Sequence, residues 1–327
     1  MKKRFNTLIN LALLLLTALP AVAQKETKKK YDYTKDRSIS KTYAAAGNSL
    51  KIDNSFGDVT VTTWDKNEIK VDIHITVSAT DEGYANDLFE VIQVKDKQEG
   101  KTISFKTSVN NNKKGCKNCS SNMEINYTVQ MPATNTLSIE NSFGGINMPD
   151  YKGTVSLVSK FGSLKAGNLA SVEKISVEFG GADIKSMGNI DAVFKFSTIN
   201  IDNLTGSNKI KIEFCSSNKI AFGNSLTALT LDESYSTVNL KPTGDFSATY
   251  NIKTNFSSVK DRSNANIKRT DEPDEYGPDS KKEYEGKSGS GSAKVIIKSS
   301  FGKIIIGEAT EEDMKDKKEK KKKTASV

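Results

Sequence analysis

Three stretches decide the fold: LVSKFGSLKA (Leu157–Ala166), ISVEFGGADI (Ile175–Ile184) and AVFKFSTINI (Ala192–Ile201). Each has an aromatic residue fifth, a small residue sixth, and apolar residues two apart on its flanks. Outward from these, the phrase recurs on Phe56, Phe143, Phe161, Phe179, Phe196 and Phe214. Looser copies stand on Tyr235, Phe256 and Phe301. From Phe143 to Phe256 the intervals are 18, 18, 17, 18, 21 and 21 residues. An interval this steady is the signature of one structural unit stacked on copies of itself. The expected fold is all-β, a single-chain β-solenoid (β-helix) with coils of roughly 17–21 residues.

Four residues before the aromatic stand Ile52, Ile139, Leu157 and Ile175; three after it stand Val59, Ile146, Leu164 and Ile199. Apolar residues alternate with polar ones in each flank, the period of a strand with one buried face. The small residue after the aromatic marks a bend between two strands. Stacking coils about 4.8 Å apart would pair every strand and build one continuous core. The aromatic column is read as an inward stack of rings within that core. The alternative is a carbohydrate-binding stripe. The slot two before the aromatic is mixed, from Asn54 and Asn141 through Val177 and Phe194 to Glu233 and Ser299. Strict alternation would bury it, which requires either a bend in the strand or a polar ladder.

Residues 1–23 read as a secretory signal peptide, with Lys2, Lys3 and Arg4, an apolar run from Leu8 to Leu19, and small residues before Gln24. The apolar run is too short for a membrane span, and no other long one follows. The formal net charge is +8. The signal peptide, the arm from Lys25 to Arg37 and the tail from Glu308 hold nearly all of that excess, which leaves the body near neutral. A nucleic-acid binder needs its positive charge on the folded surface, so that class is set aside.

Residues 24–47 read as a loose polar arm and 48–132 as a hairpin-decorated N-terminal β cap. The cap is expected to hold a strand from Ile69 to Val77, a short helix over Asp81–Phe89 capped by Asp81, and later strands around 91–95, 102–109 and 123–131. The solenoid is assigned to 133–307. Within it, 261–292 is charged, Gly/Ser/Pro-rich and read as a disordered, dispensable insertion. The Lys-rich tail, 308–327, is also expected to be disordered.

Cys116-Lys117-Asn118-Cys119 is the sharpest local motif. In an exported chain its expected role is a disulfide staple at a loop tip. A redox pair lacks the helix start that lowers a thiol pKa, and zinc needs about four ligands in a chain with three Cys and one His. Cys215 occupies the slot where other repeats carry Gly or Ser, so size explains it. His74, Glu178, Asp183 and Glu213 form no recognisable catalytic set. All four Arg residues, Arg4, Arg37, Arg262 and Arg269, fall outside the regular repeats, which weakens a polysaccharide-cleaving reading.

Gly57–Val61, Ile125–Pro132 and the Phe-Gly repeats resemble a bacterial family called putative adhesin, or β-strand repeat, over about Leu50 to Gly307. That resemblance implies a β-solenoid body and export, and transfers no functional residues. The expectation is an exported, non-enzymatic protein without cofactor, in the periplasm or at the cell surface. Its partner would be an envelope protein or polysaccharide. A polysaccharide-active enzyme and a periplasmic regulatory or scaffold protein are the rival classes.

Overall fold

The computed structural model describes residues 30–110, 116–273 and 277–314. The signal-peptide assignment (1–23) and the Lys-rich end (315–327) lie outside them. The fold is all-β, with short helices at Glu82–Glu90 and Glu311–Met314.

Two parallel ladders carry the repeats, one built from the segments before each aromatic residue and one from those after it. Leu157 pairs with Ile139 and Ile175, and Ile210 pairs with Ala192 and Leu231, all from the first slot. Leu164 pairs with Ile146 and Ala182, and Val238 pairs with Asn218 and Ile304. Register is therefore kept across repeats of 17 to 21 residues. The extra residues of the longer repeats are taken up at register shifts between Ile201 and Ser207. Buried aliphatic side chains from both ladders form one continuous core.

Chain order and spatial order part company at both ends. The first repeat, Ser49–Ser55 and Val59–Thr63, lies between the 137–148 repeat and the later strands Thr102–Val109 and Ser121–Met131. At the other end, Ala293–Ser300 and Lys303–Gly307 slip between the strands 228–242 and the earlier pair Ala248–Asn255 and Ser258–Arg262. The last strands of the repeat array thus gain backbone partners on both edges.

Antiparallel strands close the outer layers. Glu68–Ala79 pairs with Ser121–Met131, and Ile92–Glu99 with Thr102–Val109. The helix Glu82–Glu90 follows, its first turn capped where Tyr84 N donates to Asp81 Oδ1 at 2.8 Å.

Three sequence assignments need correction. Residues 24–47 are not a loose arm throughout: Tyr33–Ala44 is a twelve-residue strand, antiparallel to Glu68–Ala79. Its charges read as disorder, yet charge is also how an exposed edge strand discourages further pairing. The segment 261–292 is no free insertion, because Lys281–Ser288 covers Ala248–Asn255 along eight residue pairs. Arg269 braces this cover between Asp271 (2.7 Å) and Asp279, and Ala265 and Ser288 are buried. The tail also begins ordered: Asp313 is buried against Lys260 and Arg262, each 2.8 Å away.

Replacing residues 264–288 with a short Gly/Ser linker should therefore strip the edge of Ala248–Asn255. We expect the melting temperature to fall by at least about 5 °C, the equivalent of ~2 kcal/mol for a chain this size, with aggregation on heating. An unchanged melting curve would return the segment to the status of a passive insertion.

Candidate binding surface

The aromatic column is stacked, but it faces outward, and the inward expectation is overturned. In spatial order it runs Phe56, Phe143, Phe161, Phe179, Phe196, Phe214, Tyr235, Phe301, Phe256. Successive centroids are 4.7–5.3 Å apart and successive planes differ by 1–10°. Phe56 is half-buried and the other eight rings are 46–55% exposed.

The cause is the backbone at the bend. Every one of the nine aromatic residues has φ between +49° and +66°. This left-handed conformation is costly for a bulky side chain. It turns the ring out of the alternation that buries the slots four and two residues earlier. The mixed slot fills the inner corner instead: Asn54, Asn141, Ser159, Val177, Phe194, Ile212, Glu233, Ser299 and Thr254 are all buried. Both readings offered for that slot meet here. The strand bends after it, and its polar members form ladders. Asn54 Nδ2 donates to Asn141 Oδ1 at 3.0 Å, and Thr107 Oγ1 donates to Asn54 Oδ1 at 2.9 Å.

The residue after each ring explains the Gly and Ser preference. A Cβ at Gly144, Gly162 or Gly180 would collide with the carbonyl oxygen of the glycine one repeat earlier. Ser197, Cys215, Ser236 and Ser257 take the same slot further on. Cys215 N donates to Ser236 Oγ at 2.9 Å, and Gly302 N donates to Ser257 Oγ at 2.9 Å. Cys215 is free and buried, and burial pushes its thiol up, away from nucleophile chemistry.

Of the other candidate residues, only Cys116 and Cys119 are joined to one another, by a disulfide. Asp81 lies close to both, and this is the one cluster of three potential metal ligands among the described residues. Bonded sulfurs are poor zinc ligands, and the Asp81 carboxylate already caps the helix. Exposed His74 meets Ser38 Oγ at 3.1 Å. Glu213 sits between Lys195 (3.1 Å) and Lys211 (2.8 Å), whose hydrogen bonds lower its pKa, and exposed Asp183 accepts from Asn200. Glu178 lies half-buried one residue before Phe179.

Sequence reasoning missed Glu233. Its carboxyl is buried in the inner corner, where it accepts from Ser236 N at 2.7 Å and from Ser299 Oγ of the inserted C-terminal strand. Desolvation pushes its pKa up to about 7. The only sequence signal was an acidic residue in a slot shared with Val177, Phe194 and Ile212.

No family model matches the sequence, and no curated protein does. Among solved structures, the chain is similar to a putative adhesin from Bacteroides fragilis, at 13% identity over 83% of this chain and 97% of that one, with a TM-score of 0.35. It is also similar to a putative cell adhesion protein from Clostridium sporogenes, at 14% identity over 84% of this chain and all of that one, TM-score 0.25. A putative adhesin from Parabacteroides merdae matches at 9% identity, over 83% and 97% of the two chains, TM-score 0.28. Similarity at this level carries nothing about what the chain binds.

Two outcomes follow from this geometry. Phe179→Asn places a side chain that tolerates the left-handed region at an exposed site. It should change stability by no more than about 1 kcal/mol, against the roughly 3–5 kcal/mol loss of a core ring. Denaturant unfolding measures the difference. For Glu233, the folded carboxyl holds its proton up to about pH 7, whereas an unfolded one releases it near the ordinary glutamate value of 4.5. The folded state therefore binds more protons between these values, and stability should fall as pH rises through that window. The fall should be about 3 kcal/mol and level off above it. Glu233→Gln should flatten this dependence and be the more stable form at pH 8.

Proposed function

We propose that this is an exported, non-enzymatic β-solenoid of the bacterial cell envelope with a structural or adhesin-like binding role. On this proposal the two in-register parallel ladders wind as one continuous solenoid, and the aromatic stripe is its binding surface. The observation that carries it is the stripe itself. Eight rings, each about half exposed, form one unbroken apolar row. At roughly 75–125 Å² per half-exposed ring, the row exceeds the few hundred Å² of apolar patch that an ordinary monomer shows to water. Rigidity favours the same role, since rings locked face to face lose little entropy when a partner covers them.

The test compares retention of purified mature protein by envelope fragments of the producing cells with that of a Phe161→Asn, Phe179→Asn, Phe196→Asn triple variant. We expect the variant to fold, by circular dichroism and melting, and to lose at least about tenfold in retention. Equal retention of the two would remove the stripe from the binding role.

A further inference from the structure

We propose that the partner covering the aromatic stripe is the stripe of a second copy of this chain, laid antiparallel, so that the adhesive contact is homotypic. This rests on the stripe being the binding surface. Area comes first. Eight half-exposed rings offer roughly 600–1,000 Å² of apolar surface, and a standard stable interface covers about 800 Å² on each partner.

Pitch comes next. Each inner ring has both faces covered by its neighbours at 4.7–5.3 Å, so the stripe presents ring edges. A sugar, which stacks its C–H groups on an electron-rich ring face, finds those faces occupied. A second copy carries the same ladder, hence the same pitch. The edges of one row can then meet the furrows of the other along its whole length, as identical side chains do in a dry zipper.

Charge supplies the direction. Three residues before or two after the rings, the Phe56–Phe143 end carries Asp53, Asp58 and Glu140, and the Phe301–Phe256 end carries Lys253, Lys298 and Lys303. In the five repeats between, those slots hold only Lys211 and Asp232 as charged residues. Several end charges have neighbours already: Lys106 meets Asp53 at 2.6 Å, Lys160 meets Glu140 at 2.9 Å, and Lys253 meets Glu283 at 2.7 Å. Lys303 Nζ also donates to the backbone oxygen of Asp313 at 2.7 Å. Counted with these ion-pair partners, the first end keeps three acids against two lysines and the second three lysines against one glutamate, so the sign of each end survives, reduced. An antiparallel pair sets the acidic end of each copy against the basic end of the other, whereas a parallel pair sets like on like. A two-fold axis across the stripe closes this contact on itself, so it ends at a dimer.

Sedimentation velocity of the mature protein through a micromolar dilution series tests the proposal. We expect a monomer–dimer equilibrium, weakened at least about tenfold by the Phe161→Asn, Phe179→Asn, Phe196→Asn variant, whose melting curve confirms that it folds. Orientation is read by mixing Ser55→Cys and Asn255→Cys variants under mild oxidation. Cross-links between the two different variants are expected; a predominance of Ser55→Cys chains linked to each other would overturn the antiparallel arrangement. A dimer untouched by the triple variant would overturn the stripe as its interface. A wild-type chain monomeric throughout, whose triple variant still loses envelope retention, would overturn the homotypic partner while leaving the stripe's binding role standing.

Discussion

The backbone N–H of each aromatic residue donates to a carbonyl one layer on in the stack, and the rest of the structure depends on that bond. Phe143 N donates to Lys160 O, Phe161 N to Glu178 O, Phe214 N to Ser234 O and Tyr235 N to Ser300 O, all at 2.9–3.0 Å. These bonds carry the first ladder through the bend and hold the second in phase with it. Because both ladders keep strand spacing, near 4.8 Å, anything repeated at the bend is stacked at that spacing without further design. The aromatic column is thus a consequence of backbone pairing.

An outward ring at a left-handed backbone is a compromise. The conformation costs on the order of 1–3 kcal/mol for a bulky residue, and each stacked pair returns about 0.5–1.5 kcal/mol. The two nearly cancel, so stability alone gives little reason to prefer Phe over Asn or Gly at nine bends. Inside the same bends the trend runs differently. The inner corner is polar at the Asn54–Asn141 end, apolar through Val177, Phe194 and Ile212, and polar again at Glu233 and Ser299. At the second polar end a buried carboxyl holds the inserted C-terminal strand.

The ladders were legible because they are one-dimensional: alternation and interval together determine which residues pair. Leu157, Ile175 and Ile210 could be aligned without knowing a single angle. The direction of the rings was harder, because it turns on φ at one residue. A hint was present in parity. The slots at minus four and minus two share the ring's parity, while those at plus three and plus five do not, so one residue near the bend had to leave the alternation. Choosing the ring as that residue requires the backbone angle itself. The strands Tyr33–Ala44 and Lys281–Ser288 were missed for a different reason: a charged edge strand and a solvated tail share a composition, and only the partner strand separates them. Glu233 was hidden because desolvation depends on the whole corner and not on its neighbours in sequence.

Phe194 and Phe196 provide an internal comparison, two residues apart on one repeat, the first 0% exposed and the second 46%. Hydroxyl-radical footprinting of the native protein, at a dilution where the chains are separate, reads both rings at once. The outward column predicts rapid oxidation of Phe196, together with Phe161 and Phe179, and protection of Phe194. Protection of Phe196 equal to that of Phe194 would contradict it and return the column to the core.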